Sequence, residues 1–90
     1  MASGEAAPQG RPKLTLYGRR GCHLCHAMAD ALDAQRAAGR FDVESVDIET
    51  DPRLLFKYAN DVPVLVARDV EICRHRLDQA RLDAYLAEVR

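Results

Sequence analysis

Hydrophobic and polar residues follow two different periods along this chain, and the periods separate strands from helices. Short runs rich in Val, Ile, Leu and aromatic residues predict strands at Leu14–Tyr17, Phe41–Ile48, Val62–Ala67 and Val70–Arg74. Elsewhere apolar residues recur at three- and four-residue spacing, which predicts helices at Cys22–Ala38, Asp51–Asn60 and from Asp78 to the C-terminus. The chain is therefore expected to run β-α-β-α-β-β-α.

The ends of these helices are marked by residues suited to the task. Gly39 is expected to terminate the first helix in a left-handed conformation, and Asp51-Pro52 suits the start of the second. Asp78 is the expected N-cap of the last helix. In the first helix, one apolar stripe is expected to cover the sheet: Leu24, Ala27, Met28, Ala31 and Leu32.

The element order also predicts how the strands pair. A helical crossover joins the first two strands, so they should be parallel, whereas the last two should form an antiparallel hairpin across Arg68-Asp69. That two-residue turn lacks the glycine usual in such hairpins. The expected fold is α/β, with one mixed four-stranded sheet flanked by helices on both faces.

The composition is that of one small globular domain. A chain of 90 residues, 48% of them hydrophobic, can bury a single modest core. Residues 1–12 are mainly Ala, Ser, Gly, Pro and Gln without periodicity, so we expect a flexible N-terminal tail there. The folded domain is then expected to span residues 13–90.

Charge and cysteine content exclude several classes of partner. A net charge of −1 with interspersed signs gives no polyanion-binding surface, so we expect no nucleic acid partner. No apolar stretch reaches membrane-spanning length, so no membrane partner is expected either. Three cysteines and no apolar segment at the start are typical of a reduced, cytoplasmic protein, and we expect a monomer.

The strongest chemical signal is Cys22-His23-Leu24-Cys25, at the junction of the first strand and first helix. Cysteines three residues apart at a helix start lie roughly 5 to 6 Å apart between Cα atoms, within disulfide range. The pair can therefore cycle between dithiol and disulfide. At a helix N-terminus, unpaired N–H groups and the helix dipole favour a thiolate, so Cys22 is expected to be the reactive, exposed thiol and Cys25 partly buried.

Three features together resemble the thioredoxin superfamily, in particular its glutaredoxin-like branch. They are the element order, the C-x-x-C motif after the first strand, and Val62-Pro63 opening the third strand, and the resemblance covers residues 13–90. It implies a thioredoxin-like fold and a thiol–disulfide oxidoreductase acting on protein or small-molecule disulfides. Cys22 would be the nucleophile and Cys25 the resolving thiol. No tightly bound cofactor is implied, and glutathione becomes a candidate co-substrate.

The resemblance also implies residues that bind substrate. The matching proline in the family is cis, so Val62 before Pro63 would turn its main-chain groups towards a substrate peptide or glutathione. Arg19 and Arg20 resemble the basic position that meets a glutathione carboxylate, and Asp78 the acidic helix start that meets its glutamyl end. A trans proline at a strand edge, solvated arginines and a plain helix cap are the alternative interpretations.

Two positions depart from the glutaredoxin pattern. Val62 stands where glutaredoxins commonly have Thr, and Arg74-His75-Arg76 stands where they have a Gly-Gly pair. The sequence therefore leaves the electron donor open between glutathione and a thioredoxin-type reductase.

Other functions remain for the same motif. With His26 it fits C-x-x-C-H, the attachment signal for c-type haem. A zinc or iron–sulfur module is a further alternative, although one C-x-x-C supplies only two of four thiolate ligands. His23 is either an exposed spectator or, when protonated, a stabiliser of the Cys22 thiolate. Cys73 is either a free thiol serving as a small hydrophobe or half of a regulatory bridge.

Overall fold

The computed structural model describes residues 11–89 and confirms the predicted order of elements. The ten residues before Arg11, where most of the predicted tail lies, are outside the described residues, as is Arg90. The strands are β1 (Lys13–Gly18), β2 (Asp42–Asp47), β3 (Val64–Ala67) and β4 (Val70–Arg74). The helices are α1 (His23–Ala37), α2 (Pro52–Tyr58) and α3 (Gln79–Glu88). None of the helices in this part of the chain has both the length and the hydrophobicity that a membrane span requires.

The four strands form one mixed sheet in the order β2-β1-β3-β4. As predicted, β1 and β2 are parallel, and β3 and β4 form an antiparallel hairpin. Strand β1 also pairs with β3 in antiparallel fashion, so β1 is an interior strand with a neighbour on each side. Its carboxyl end, which lies four residues before the cysteine motif, is therefore held from both sides.

Helices cover both faces of the sheet because side chains alternate along each strand. Leu14 and Leu16 of β1 point to the face that α1 and α3 cover, together with Leu65 of β3. Tyr17 and Val64 point to the opposite face, where α2 packs. The sheet therefore lies between two separate hydrophobic clusters, and the predicted two-sided arrangement is confirmed.

The predicted apolar stripe of α1 is only partly correct. Met28 and Leu32 are buried as expected, and Cys25 is the third buried residue of this helix. In contrast, Leu24 is 39% exposed, and Ala27 and Ala31 are also exposed. The buried residues are spaced by three and then four positions, so they lie on the face of α1 that meets the sheet. Leu24, Ala27 and Ala31 lie to one side of that face. There they line a surface groove with residues of the segment between β4 and α3.

The helix ends form as the sequence predicts, with one addition. Gly39 has φ +84°, the left-handed conformation expected after α1. The side chains of Asp51 and Asp78 accept hydrogen bonds from the amides of Arg53 and Arg81 and so cap α2 and α3. The addition is a 3₁₀ turn at Ile48–Thr50, which the periodicity did not predict.

Candidate active site

The cysteine motif begins four residues beyond the end of β1. Gly21 adopts φ +70°, and Cys22 then takes the extended conformation of an N-cap before the helix starts at His23. Cys22 and Cys25 are joined by a disulfide, with their Cα atoms 5.2 Å apart. The predicted pairing and spacing are confirmed.

The two sulfur atoms lie in different environments. The backbone N–H of Cys25 donates a hydrogen bond to Sγ of Cys22 at 3.1 Å, so the sulfur itself caps the first turn of α1. Cys22 is half-buried, whereas Cys25 is 7% exposed. A sulfur at this position meets the amides and the positive dipole end of the helix, which favour its thiolate form. Cys22 is thus less exposed than the sequence predicts and Cys25 more completely buried, because Cys25 faces the sheet beside Gly18.

The arginines before the motif have separate environments. Arg19 donates to Glu49 Oε2 at 2.7 Å and to the carbonyl oxygen of Ala59 at 3.3 Å. This guanidinium therefore ties the segment before Cys22 to the C-terminal end of α2. The side chain of Arg20 is 92% exposed, with its Nε 4.0 Å from Asp47 Oδ2. Of the two, Arg20 is the one whose guanidinium is open to an incoming anionic group.

The Val62-Pro63 peptide bond is cis, as the resemblance implies. Pro63 is buried, and its carbonyl oxygen accepts a hydrogen bond from the amide of His75 at 2.7 Å. His75 has φ +69°, a conformation that favours glycine. In this chain, Arg74-His75-Arg76 stands where glutaredoxins carry a Gly-Gly pair. His75 therefore adopts the left-handed conformation there although it is not a glycine.

The neighbouring Arg74 is held in place by two carboxylates. It donates to both oxygens of Glu71, at 2.7 and 2.6 Å, and contacts Asp61 Oδ1 at 3.1 Å. The hydrogen bond from Arg74 lowers the pKa of the Glu71 carboxyl and raises the pKa of Arg74 itself. Because Asp61 directly precedes Val62, this network connects the end of β4 to the loop that carries Pro63.

Asp78 and Cys73 complete the set of residues that the sequence singled out. Asp78 caps α3 through its contact with the Arg81 amide at 3.1 Å, which is the plain structural role considered for it. Cys73 is a free thiol, 6% exposed and packed into the cluster beneath α1 and α3. Burial raises the pKa of the Cys73 thiol above its ordinary value. Among residues 11–89, no group of three or more His, Cys, Asp or Glu side chains is arranged to hold a metal ion.

Comparison with known proteins gives the family. A model of the Glutaredoxin-like domain (DUF836) matches residues 13–87. The chain belongs to this glutaredoxin-like family. A glutaredoxin-like protein of Dictyostelium discoideum, described as a YDR286C homolog, is 31% identical over 75 residues, which are 77% of this chain and 69% of that protein. In a glutaredoxin-like protein, the paired cysteines Cys22 and Cys25 support a redox-type function.

Solved structures agree with this assignment. The solution structure of protein Ne2328 from Nitrosomonas europaea is 35% identical with a TM-score of 0.73, covering 93% of this chain and 98% of that one. The solution structure of XcR50 from X. campestris is 41% identical with a TM-score of 0.63, covering 86% and 95%. Thioredoxin 1 from Thermosipho africanus is 21% identical, with a TM-score of 0.60 over 84% and 96%, and shares the thioredoxin-like fold.

Some residues of this glutaredoxin-like site were missed by the sequence reasoning. Glu49 and Ala59 hold Arg19, yet they lie 30 and 40 residues from it, and nothing local marks the contact. Asp47 could have been found, because Asp two residues before Glu49 is a common signal for a turn in which the carboxylate accepts the later amide. The side chain of Asp47 forms that bond at 2.9 Å and starts the 3₁₀ turn beside the motif.

Proposed function

We propose that this protein is a thiol–disulfide oxidoreductase that exchanges disulfides through Cys22 and Cys25. The observation that carries the proposal is the position of the Cys22 sulfur, which caps α1, accepts the Cys25 amide and is bonded to Cys25. A thiolate is the species that attacks disulfides, and this position favours it. Membership of a glutaredoxin-like family supports the same chemistry.

The reaction proceeds in two exchange steps. The Cys22 thiolate attacks one sulfur of a substrate disulfide, forms a mixed disulfide and releases the other substrate sulfur as a thiolate, which takes up a proton. Cys25, deprotonated, then attacks Sγ of Cys22, breaks the mixed disulfide and releases the second substrate thiol. Two electrons pass from the protein dithiol to the substrate, and Cys22 and Cys25 are left as a disulfide. An external dithiol, or two molecules of a monothiol such as glutathione, returns the protein to its reduced form.

The substrates are protein or small-molecule disulfides, and the surrounding residues suggest how they are held. Val62 next to the cis bond would pair with an extended substrate backbone, as the family resemblance implies. Arg20 would meet a carboxylate, because Arg19 is already bound to Glu49. For glutathione, the acidic partner of its glutamyl amine would be Asp78. We propose that the protein acts as a monomer with no resident cofactor, in the cytoplasm.

The test is turnover of a glutathione mixed disulfide by the reduced protein. Electrons are supplied in one assay by glutathione with its reductase and in a second by a thioredoxin-type reductase, and NADPH oxidation identifies the donor. Cys22→Ser is expected to abolish exchange, whereas Cys25→Ser should accumulate a mixed disulfide that mass spectrometry detects. Cys73→Ser is the matched control and should keep full activity. Equal activity of Cys22→Ser and the wild type would contradict the proposed function.

A further inference from the structure

A cavity of about 320 Å³ lies beside the motif, between the start of α1 and strand β2. The residues that line it include Arg19, Arg20, Cys25, His26 and Asp47. Cys25 is only 7% exposed, and it forms part of the cavity wall. Solvent in the cavity can therefore reach the resolving cysteine. The volume is sufficient for several water molecules at about 30 Å³ each.

The second exchange step poses a requirement that the first does not. Cys22 receives the hydrogen bond of the helix cap, but Cys25 is inside the first turn and its own amide is the donor to Cys22. Burial favours the neutral thiol over the thiolate, and only the thiolate attacks. A base near Cys25 is therefore needed at the moment when Cys25 attacks the mixed disulfide.

The lining of the cavity contains one suitable base. The guanidinium groups of Arg19 and Arg20 stay protonated in proteins. The carboxylate of Asp47 accepts the Glu49 amide through Oδ1 and faces Arg20 through Oδ2. The imidazole of His26 is the remaining base of this lining, and it borders the same cavity as Cys25.

We propose that His26 is the proton acceptor for Cys25 in the second step. The imidazole takes the proton of the Cys25 thiol across the cavity as Cys25 attacks Sγ of Cys22, and passes it to the departing substrate thiolate or to solvent. No electrons pass through His26. This inference rests on the proposed function, because it assigns a role within that exchange.

The charges that face His26 come from three elements. Arg19 and Arg20 belong to the segment before α1, and Asp47 ends β2. Cys22, the N-cap of α1, and Asp30 within α1 lie one turn on either side of His26. Arg20 and Asp47 offset each other at 4.0 Å, and Arg19 is paired with Glu49. With Glu49 counted, these groups carry two positive and three negative formal charges, so a proton on His26 brings their sum from −1 to zero.

The test separates the two steps with an aromatic disulfide, dithionitrobenzoate, whose coloured thiol is released once per step. Reduced Cys73→Ala protein should release one equivalent when Cys22 attacks and a second when Cys25 resolves. His26→Gln should leave the first release unchanged and slow the second at neutral pH by about tenfold or more. The second release of His26→Gln should also show a changed pH profile, increasing mainly towards the ordinary thiol range near about 8.5. His23→Gln is the matched control, because His23 is exposed on the same turn as the equally exposed His26 but does not line the cavity, and it should leave the second release as in the wild type.

The outcomes distinguish this inference from the proposed function. A second release that keeps its rate and pH profile in His26→Gln would overturn the role of His26 while leaving the exchange reaction intact. Slowing of the first release alone would also overturn it, since His26 would then act on Cys22. Absence of both releases in the parent protein would refute the proposed function itself. Added imidazole should restore the second release of His26→Ala, a rescue that a purely structural role does not predict.

Discussion

Gly18, the last residue of β1, lies directly against Cys25. A Cβ atom at Gly18 would be 3.3 Å from both Cβ and Sγ of Cys25, closer than side chains ordinarily approach. Gly18 does not have a positive φ, unlike Gly21 and Gly39, so the glycine is needed for space rather than for backbone conformation. The absence of a side chain at Gly18 therefore provides the space that Cys25 occupies against the sheet.

Replacing this glycine should displace Cys25. Gly18→Ala is expected to lower the free energy of unfolding by about 1 to 3 kcal/mol, as overpacking does, and to slow closure of the Cys22–Cys25 disulfide. Urea denaturation and the rate of disulfide formation measure the two effects. Gly21→Ala is the control, because open space surrounds Gly21 and its φ of +70° costs stability without pressing on Cys25. Wild-type stability and closure rate in Gly18→Ala would contradict the argument.

The cap position of Cys22 should be visible in its reactivity. In reduced Cys25→Ser protein, which keeps the amide that donates to the Cys22 sulfur, alkylation of Cys22 should rise with a midpoint below the ordinary thiol value of about 8.5. Iodoacetamide trapping against pH measures the midpoint, with the urea-unfolded protein as the reference. A midpoint equal to that of the unfolded chain would show that the helix end does not activate this sulfur.

We expect Arg19 to stabilise the fold rather than to stabilise a thiolate at Cys22, because its guanidinium is bonded to Glu49 and Ala59. Arg19→Gln removes the bonds to Glu49 and to the Ala59 carbonyl, and should lower the free energy of unfolding by about 1 kcal/mol, since the pair is partly exposed. Glu49→Gln keeps the bond to Ala59 and should cost less. Chemical denaturation of both variants provides the comparison, and a larger loss in Glu49→Gln would be inconsistent with this order.

The buried thiol of Cys73 should make stability depend on pH on the alkaline side. Its pKa is raised in the folded protein, so its contribution is complete below the unfolded thiol value and is lost as pH rises through the folded one. With Cys22 and Cys25 kept as a disulfide, stability should fall more steeply above about pH 8.5 in the wild type than in Cys73→Ala. Denaturation midpoints across this range supply the two slopes. Parallel slopes would mean that Cys73 ionises as freely in the fold as in the unfolded chain.

The β3–β4 turn contains a residue in an unfavourable conformation. Arg68 has φ +56°, whereas Asp69 beside it does not have a positive φ. Arg68→Gly should therefore raise the free energy of unfolding by up to about 1 kcal/mol, because the left-handed penalty of roughly 1 to 2 kcal/mol exceeds the added entropy of the unfolded chain. Asp69→Gly should lower it. Thermal denaturation of the two variants measures the difference. Equal melting temperatures would contradict the prediction that the conformation of Arg68 costs stability.

Local patterns predicted the four strands and three helices but not the 3₁₀ turn at Ile48–Thr50, and they did not predict contacts between distant segments. Gly39 and Asp51 mark helix ends by their own chemistry, and the Cys22–Cys25 pairing follows from a spacing of three residues. In contrast, the exposure of Leu24 depends on how α1 is rotated about its axis against the sheet. The spacing of apolar residues along α1 does not determine this rotation. The contact of Arg19 with Glu49 joins residues that only the finished fold brings together.

The hydrogen bond from the Cys25 amide to the Cys22 sulfur couples the folding stability of the protein to the reduction potential of its cysteine pair. A thiolate accepts this bond more strongly than a disulfide sulfur does, so the first turn of α1 is held more firmly when the protein is reduced. A stabilised reduced form raises the reduction potential. The difference in unfolding free energy between the reduced and oxidised forms therefore measures the potential of this pair relative to the same two cysteines in the unfolded chain. A substitution that weakens the helix start more in one redox form than in the other will change this difference, and the potential with it.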